Sequence, residues 1–417
     1  MRFIADFHLH SRYSRATSHD MEVETLDRWA KLKGIKVLGT GDFTHPGYLA
    51  ELKSKLHPSG EGLFSLKGKE AYAHFMLTAE VSNIFHQGGK LRKIHTLIFA
   101  PSFEVVEALN RQLDELGKLE ADGRPTFSFP ARELVRMIAN ISDQFFIVPA
   151  HVWTPWFSLF GANSGFDSME ECFEDELKHI YAVETGLSSD PQMNWRLSAL
   201  DRSCLISNSD AHSPSKIGRE ANFFDSPLDY YEIINAIKHK DRGKFLFTIE
   251  FFPQEGKYHY DGHRKCGVLC SPKESLRHRN ICPVCGKRLT IGVMHRVETL
   301  ADRPDGYQPP NPIPARHVVP LAEIIAEALN QGVNTRAVDL EYHRLVEHFG
   351  NELGILLDLP QEELATFTPP KILEGIVKMR QGKVNILPGY DGVFGKISIF
   401  SEEDKKGVPP AEQMDLF

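Results

Sequence analysis

No apolar run in this sequence approaches the ~18–20 residues that a membrane-spanning helix requires. No charged-then-apolar leader with a small-residue cleavage site opens it. The expectation is a soluble cytoplasmic chain with no membrane partner. The sequence also lacks a basic excess, with a formal net charge of −8. That excludes a uniformly basic nucleic-acid coat and leaves room for a local basic groove. Cysteine is sparse, at six in 417 residues, and Cys266, Cys270, Cys282 and Cys285 crowd into one short stretch. Such crowding excludes a disulfide framework for a cytosolic chain and points to a metal. Internal repeats are absent too. What is present is 41% hydrophobic residues, enough for two or three domains around a large core, and nineteen histidines.

Up to about residue 250 the text alternates strands with helices. "IADFH", "IKVLGT", "FMLTAEV", "IHTLIF", "FFIVPAH", "IYAVET", "CLISNSD" and "FLFTIEF" read as strands. "MEVETLDRWAKLKG" reads as a helix with Val23, Leu26, Trp29 and Ala30 on one face and Gly34 as its stop. "FEVVEALNRQLDELGKL" and "ARELVRMIANI" are further helices. Repeated βα units imply a largely parallel sheet, open or closed. The expected division is 1–252 for this α/β part, 253–295 for a Cys/His-rich module, 296–400 for a mainly helical domain and 401–417 for a flexible tail. The Pro-rich "RPDGYQPPNPIP" reads as a linker or an extended wrap.

Several strands end in a residue that can ligate a metal. His8 and His10 stand one residue apart after the first strand, so period-two alternation places them on one face, with Asp6 beside them. "GTGDFTH" offers Asp42 and His45, "LTAEV" Glu80, "KIHTLIF" His95, "IVPAH" His151, "AVET" Glu184, and "SNSDAH" Asp210 and His212. Carboxyl ends of strands converge on one face in parallel α/β folds, and imidazoles mixed with carboxylates suit Zn, Mn or Fe. Asp6 and Glu184 read best as partners that orient the imidazoles. Arg12, Arg15 and Lys216 lie near ligands in sequence, either as cationic help or as solvated charges.

A second constellation follows. Cys282 and Cys285, with Gly286, have the spacing of a zinc knuckle. Upstream, His263 and Cys266 with Gly267 repeat that spacing, and Cys266 with Cys270 is the alternative register. His263, Cys266, Cys282 and Cys285 are the preferred structural Zn2+ ligands, with Cys270 in reserve. The surrounding Lys and Arg residues make this module locally basic, for phosphate contact or as a solvated face. The loop "HVWTPWFSLFG" after His151 offers Trp153, Trp156 and Phe157, either to stack on bases or to pack on the mouth of the site.

The residues "HLH" at 8–10, the aspartate of "GDFTH", Glu80, His95, His151 and "SDAH" at 209–212 resemble the PHP (polymerase and histidinol phosphatase) family. That resemblance implies a distorted (β/α)7 barrel that binds two or three divalent ions (Zn2+, Mn2+ or Mg2+) and hydrolyses phosphoesters. It implies a first metal at His8, His10, Glu80 and Asp210, with Glu80 bridging to a second at His95 and His151. His8, His10, Glu80, His151 and Asp210 would form the catalytic core. A third site would use His212 with Asp42 or His45, because Phe43 stands where the family has histidine; His19 is a further substitute. The terminal "QMDLF" resembles the sliding-clamp-binding pentapeptide of bacterial replication and repair proteins, with Gln413, Leu416 and Phe417 as the contacts. The alternative is a tail that docks Leu416 and Phe417 on its own domain.

The order of the parts, with "EGKYHYDGHRKCG", "CPVCGKRLTIGVMHRVE" and "PGYDGVFGKI", resembles the endonuclease Q family over nearly the whole chain. That resemblance implies a DNA repair endonuclease cutting double-stranded DNA 5′ of deaminated bases (uracil, hypoxanthine, xanthine) and abasic sites. The competing class is a small-molecule phosphoesterase of the sugar or histidinol phosphatase type, which needs neither zinc module nor clamp motif. A non-catalytic DNA-binding adaptor is a third class.

Overall fold

A computed structural model describes residues 1–68 and 70–401. In chain order the strands that matter are β1 (Arg2–Asp6), β2 (Ile35–Gly39), β3 (Leu56–Gly60), β4 (Leu63–Leu66), β5 (His74–Gln87), β6 (Lys90–Ala100) and β7 (Thr126–Phe127). They continue with β8 (Phe146–Pro149), β9 (Ala182–Glu184), β10 (Cys204–Ile206), β11 (Ala221–Asp225) and β12 (Phe245–Glu250). The last five are β13 (Asp261–His263), β14 (Val268–Cys270), β15 (Ala315–His317), β16 (Asn385–Leu387) and β17 (Lys396–Ser398).

Among the described residues, eleven strands share one sheet whose main path runs β15-β12-β11-β1-β2-β5-β4-β3, with β6 and β7 pairing on β5 and β8 pairing on β6. This sheet is mixed, which corrects the expectation of a largely parallel one. β1, β2 and β5 are parallel neighbours, but β11 runs antiparallel to both β1 and β12. The cause in the centre is local. Gly88 and Gly89, with φ of 61° and 71°, let the chain reverse at once, so β5 and β6 pair antiparallel from Gln87–Lys90 to Leu77–Ala100 with no crossover helix. β9 and β10 form a separate parallel pair, tied in by the single bridges Ile147–Ile180 and Leu9–Ala211.

The first helix, Val23–Lys33, buries Val23, Leu26 and Ala30 against the sheet, at roughly 1.5–3 kcal/mol for each large side chain. Gly34 ends it in the left-handed region, donating its N–H to Ala30 O. The last turn meets the C-terminal helices Arg336–Phe349 and Glu352–Leu357, which pack in turn with Leu321–Ala328 and Pro370–Arg380. There Lys33 Nζ lies 2.6 Å from the buried Glu352 carboxylate, which also accepts from the Tyr342 hydroxyl (2.7 Å) and the Leu321 N–H (3.0 Å). Deleting one member of such a buried pair costs about 3–5 kcal/mol.

The Pro-rich stretch is a wrap. It leads into β15, which adds parallel to β12 with Glu250 opposite His317. Between β12 and β15 hangs the Cys/His-rich segment, built on the β13–β14 hairpin. Its small apolar cluster is Cys270, Cys282 and Leu289. The QMDLF pentapeptide, with Gln413, Leu416 and Phe417, lies outside the described residues. No described helix is long and apolar enough to cross a membrane.

Candidate metal centre

The segment after β1 runs beside residues 209–212, with His10 N–H donating to Ala211 O at 3.0 Å. This brings two strand ends that are 200 residues apart in sequence to one place. His8 and His10 project together, ring centroids 5.4 Å apart, both fully buried. Asp210 completes the group, its Oδ1 3.1 Å from His10 Nε2 and 3.7 Å from His8 Nε2. The β5–β6 hairpin supplies Glu80 and His95, and His151 follows β8. Glu80 Oε1 lies 2.7 Å from His95 Nδ1 and 3.0 Å from His151 Nε2. Its Oε2 faces the first group, 3.3 Å from His10 Nε2 and 3.7 Å from His8 Nε2. Glu80 therefore stands between two sets, His8–His10–Asp210 and Glu80–His95–His151, each with ligand atoms within 4.8 Å of one another.

The fit to cations rests on unfilled valences. His8 Nε2, His10 Nε2 and Asp210 Oδ1 are buried and make no hydrogen bond. Orphaned polar atoms of this kind are costly to bury, and converging lone pairs are what a divalent ion satisfies. The far ring nitrogens are held. His8 Nδ1–H donates to Glu184, 3.0 Å from each oxygen, and Glu184 also accepts from Asn208 Nδ2 (2.9 Å). His10 Nδ1–H donates to Asp42 Oδ1 at 3.1 Å. Asp42 Oδ2 in turn accepts from Ser11 N (2.6 Å), Ser11 Oγ (2.6 Å) and Ser14 Oγ (2.9 Å). Carboxylates on Nδ1 fix the tautomer and leave Nε2 free to coordinate.

Electrostatics agree with the geometry. Burial opposes charge on Glu80, yet the imidazoles around it hold its carboxyl well below the usual range. Burial likewise opposes charge on His8 and His10, yet their carboxylate neighbours raise both imidazoles well above 6.5. Asp42, His151 and Asp210 all have positive φ (47°, 30° and 47°). Non-glycine residues in that region are strained, and they gather where a side chain must be aimed.

The remaining candidates are placed as follows. Asp6 touches no imidazole; it accepts from Ser209 N (3.0 Å) and Gly218 N (2.8 Å), so it shapes the loop that carries Asp210. Burial pushes its carboxyl up to about 6. The Asp42 side chain orients His10 and lies outside both three-residue groups. His45 is turned away, accepting from Tyr48 N as the cap of the helix Pro46–Lys55 and reaching Glu120 O. The His212 ring lies tilted against that of His10, centroids 4.5 Å apart, with Nδ1 2.9 Å from Asp210 O. His19 is exposed. Arg12 pairs with Glu22 and Glu51, Arg15 with Asp122, and Lys216 is exposed and lines a cavity with Glu255 and Glu323.

Trp153 is a core residue, its indole N–H donating to Asn194 Oδ1 at 2.8 Å; it faces no opening. Phe157 packs on His95 with centroids 4.7 Å apart, and Trp156 is 54% exposed. One residue that no sequence pattern indicated is Arg124, whose Nη1 donates to Glu80 Oε2 at 3.0 Å. It sits in a turn with no periodic signal, and the "DGRP" punctuation marks only the turn.

In the second constellation, His263, Cys266, Cys282 and Cys285 converge within 4.8 Å, with His263 Nδ1 3.4 Å from Cys285 Sγ. Cys270 stays outside, in the apolar cluster. Burial alone would raise the Cys282 thiol; the backbone N–H groups of Cys285 and Val284 bring it down to about 7, which favours the metal-binding thiolate.

A mixed α/β scaffold with imidazole–carboxylate groups meeting at one shared glutamate defines an enzyme of the metal-dependent hydrolase class. The lesion-specific endonuclease PfuEndoQ of Pyrococcus furiosus is similar at a TM-score of 0.85 and 31% identity, over 99% of this chain and 100% of that one. An endonuclease Q solved with a 27-mer duplex carrying an abasic lesion is similar at a TM-score of 0.84 and 32% identity, over all of both chains. The chain belongs to the endonuclease Q family and is a nuclease. The uncharacterized protein YqxK of Bacillus subtilis is 29% identical over 409 residues, 95% of this chain and 99% of that protein. MJ0043 of Methanocaldococcus jannaschii is 34% identical over 256 residues, which cover 59% of this chain but 31% of that protein. Residues 320–383 match the family described as the MJ0043 C-terminal domain.

Proposed function

We propose that this protein repairs DNA by hydrolysing the phosphodiester 5′ of uracil, hypoxanthine, xanthine and abasic sites in duplexes. The observation that carries the reading is the double ligand group hinged on Glu80, in a chain similar end to end to an endonuclease Q bound to an abasic duplex. Ions held by His8, His10 and Asp210 and by Glu80, His95 and His151 would supply Lewis acidity, lowering the pKa of water and offsetting phosphoryl charge. Asp42 with His212 is the remaining support for a third ion. Glu184 and Asp42 hold the imidazoles in their coordinating tautomer. Arg124 keeps a fixed positive charge beside Glu80, and the part of its guanidinium that remains accessible can meet a phosphate oxygen. Phe157 and the exposed Trp156 offer a stacking surface next to His95.

The reading extends to architecture. β1, β2, β5, β6, β8, β9 and β10, linked through the two single bridges, support a distorted (β/α)7 barrel around the site. Residues 1–252 would be that unit, 253–295 a structural-zinc module, 296–400 the helical domain and 401–417 the tail. Gln413, Leu416 and Phe417 would engage a bacterial sliding clamp; removing them would abolish co-elution with the clamp and leave nicking of short duplexes unchanged.

The test incubates the protein and Mn2+ or Zn2+ with duplexes bearing each lesion, with undamaged duplex and with a small phosphate ester. Nicks mapped to the 5′ side of the lesion alone are expected. Turnover of the ester with DNA intact would assign a small-molecule phosphoesterase, and binding without cutting would assign an adaptor.

A further inference from the structure

One conspicuous segment takes no part in the chemistry above: the hairpin of β16 and β17, whose turn reads "PGYDGVFG". Its backbone is locked onto the chain that leaves β12. Gly389 N–H donates to Gln254 O (2.8 Å), Gly392 N–H to Lys257 O (3.0 Å) and Gly395 N–H to Glu255 O (3.0 Å). Contact is so close that a Cβ at Gly389 would lie 2.3 Å from Gly256 O, and one at Gly395 2.0 Å from Gln254 O. Asp391 adds side-chain anchors, accepting from Arg264 N (2.5 Å) and Thr290 Oγ1 (2.6 Å).

From this rigid mount Phe394 projects with 68% of its surface exposed, near the exposed Tyr258. With Tyr258, Ile386 and Leu387 also exposed on and beside this hairpin, the ring belongs to an apolar face that a partner can cover. Its surroundings are cationic: Lys257 Nζ lies 4.4 Å from the ring centroid, and Arg264 and Lys396 are exposed close by in the fold. Position adds to this. β11 is antiparallel to both β1 and β12, so β12 ends on the edge of the sheet where β1 delivers His8 and His10. The hairpin is docked on residues 254–260, which leave from that same end.

We propose that Phe394 is a wedge that enters the base stack of duplex DNA beside the lesion, while Lys257, Arg264 and Lys396 hold flanking phosphates. An aromatic ring among cations matches the alternation of base faces and phosphates along a strand. Phe394 is a positioning residue, and its role rests on the lesion-cutting reading proposed above.

The test uses a duplex with an abasic site flanked by 2-aminopurine, whose fluorescence rises on unstacking, and a single strand carrying the same lesion. Phe394→Ala is expected to abolish the fluorescence rise and to lower kcat/KM on the duplex about 10- to 100-fold. Its cutting of the single strand, its zinc content and its melting temperature stay at wild-type values, and Phe394→Trp restores both duplex signals. A variant that keeps the fluorescence rise and duplex rate overturns the wedge, as does an equal loss on duplex and single strand. Loss of self-association with unchanged DNA signals overturns it too, and assigns the face to a second copy of the chain. The fluorescence arm needs no turnover: a wild-type rise lost in Phe394→Ala, without cutting 5′ of the lesion, would sink the lesion-cutting reading and uphold the wedge.

Discussion

Glu184 grips His8 and His151 at once: both its oxygens lie 3.0 Å from His8 Nδ1, and Oε2 accepts the backbone N–H of His151 at 2.8 Å. One carboxylate thus fixes a ring in the first ligand group and the main chain that aims a ring in the second. Replacing Glu184 by Gln keeps the shape and turns an amide N–H toward one of these donors. Affinity for the active-site ions is expected to fall about 10- to 100-fold, read by competition with a chromophoric chelator. Unchanged affinity would show that the imidazoles need no such brace.

Glu80 turns one carboxylate oxygen to the ring nitrogens of each group, so its loss is not equivalent to the loss of His95. Glu80→Gln is expected to lower nicking about 100- to 1,000-fold and to deplete both active-site ions. His95→Ala is expected to deplete one. Metal analysis of preparations made without chelator distinguishes the two, and identical stoichiometry in both variants would count against a shared ligand.

Acid and base act on a buried carboxyl pair behind the site. Burial pushes Glu250 up to about 8, and burial with its neighbour Glu250 holds Glu220 well above 4.5. In the unfolded chain these groups ionise near 4.5, so between about 4.5 and 8 the folded protein binds more protons than the unfolded one. Stability contributed by the protonated pair is present below 4.5 and is lost as pH rises through 8. Glu250→Gln is expected to melt higher than wild type at pH 8, by a few kcal/mol of unfolding free energy at most, and alike at pH 4.5. Parallel melting curves across that range would refute it.

Cysteine chemistry separates the two registers of the zinc module. Cys285→Ser is expected to cost one equivalent of zinc and to open residues 263–290 to protease, since the local apolar cluster is only Cys270, Cys282 and Leu289. Cys270→Ser is expected to keep its zinc. Zinc lost from Cys270→Ser and kept by His263→Ala would establish the all-thiolate register instead.

Much of this architecture was legible because burial on both faces leaves long apolar runs. "IKVLGT", "FMLTAEV" and "FFIVPAH" are such runs, and β2, β5 and β8 lie within or around them. β3, "LHPSG", and β15, "ARH", carry no such signature, since each is polar and pairs at the periphery of the sheet. Strand direction was misread at the "QGGK" reversal, where two glycines replace a helix. In the site, strand-terminal His, Asp and Glu announced themselves by type and place. His45 was ambiguous because the same "TH" before Pro46 also makes a helix cap. Arg124 and the burial of Trp153 depend on partners 44 and 41 residues away, Glu80 and Asn194, which no local pattern encodes.

The chain departs from the sheet after Glu250 and rejoins it at Ala315, one strand over. The Cys/His-rich stretch between them is a handle held from several sides rather than a bead on a string: Asp391 ties Arg264 and Thr290 to the β16–β17 hairpin, and Arg296 and Arg303 pin the return leg to Asp167 and Asp201. Loss of an ion from His263, Cys266, Cys282 and Cys285 would therefore slacken the handle without casting the C-terminal helices adrift, because the Arg296–Asp167 and Arg303–Asp201 pairs and the Lys33–Glu352 clasp would stay shut. A span with fixed endpoints also has far fewer conformations to search when the metal returns. Reassembly becomes a local event, and so would the replacement of that span by a different one over evolutionary time.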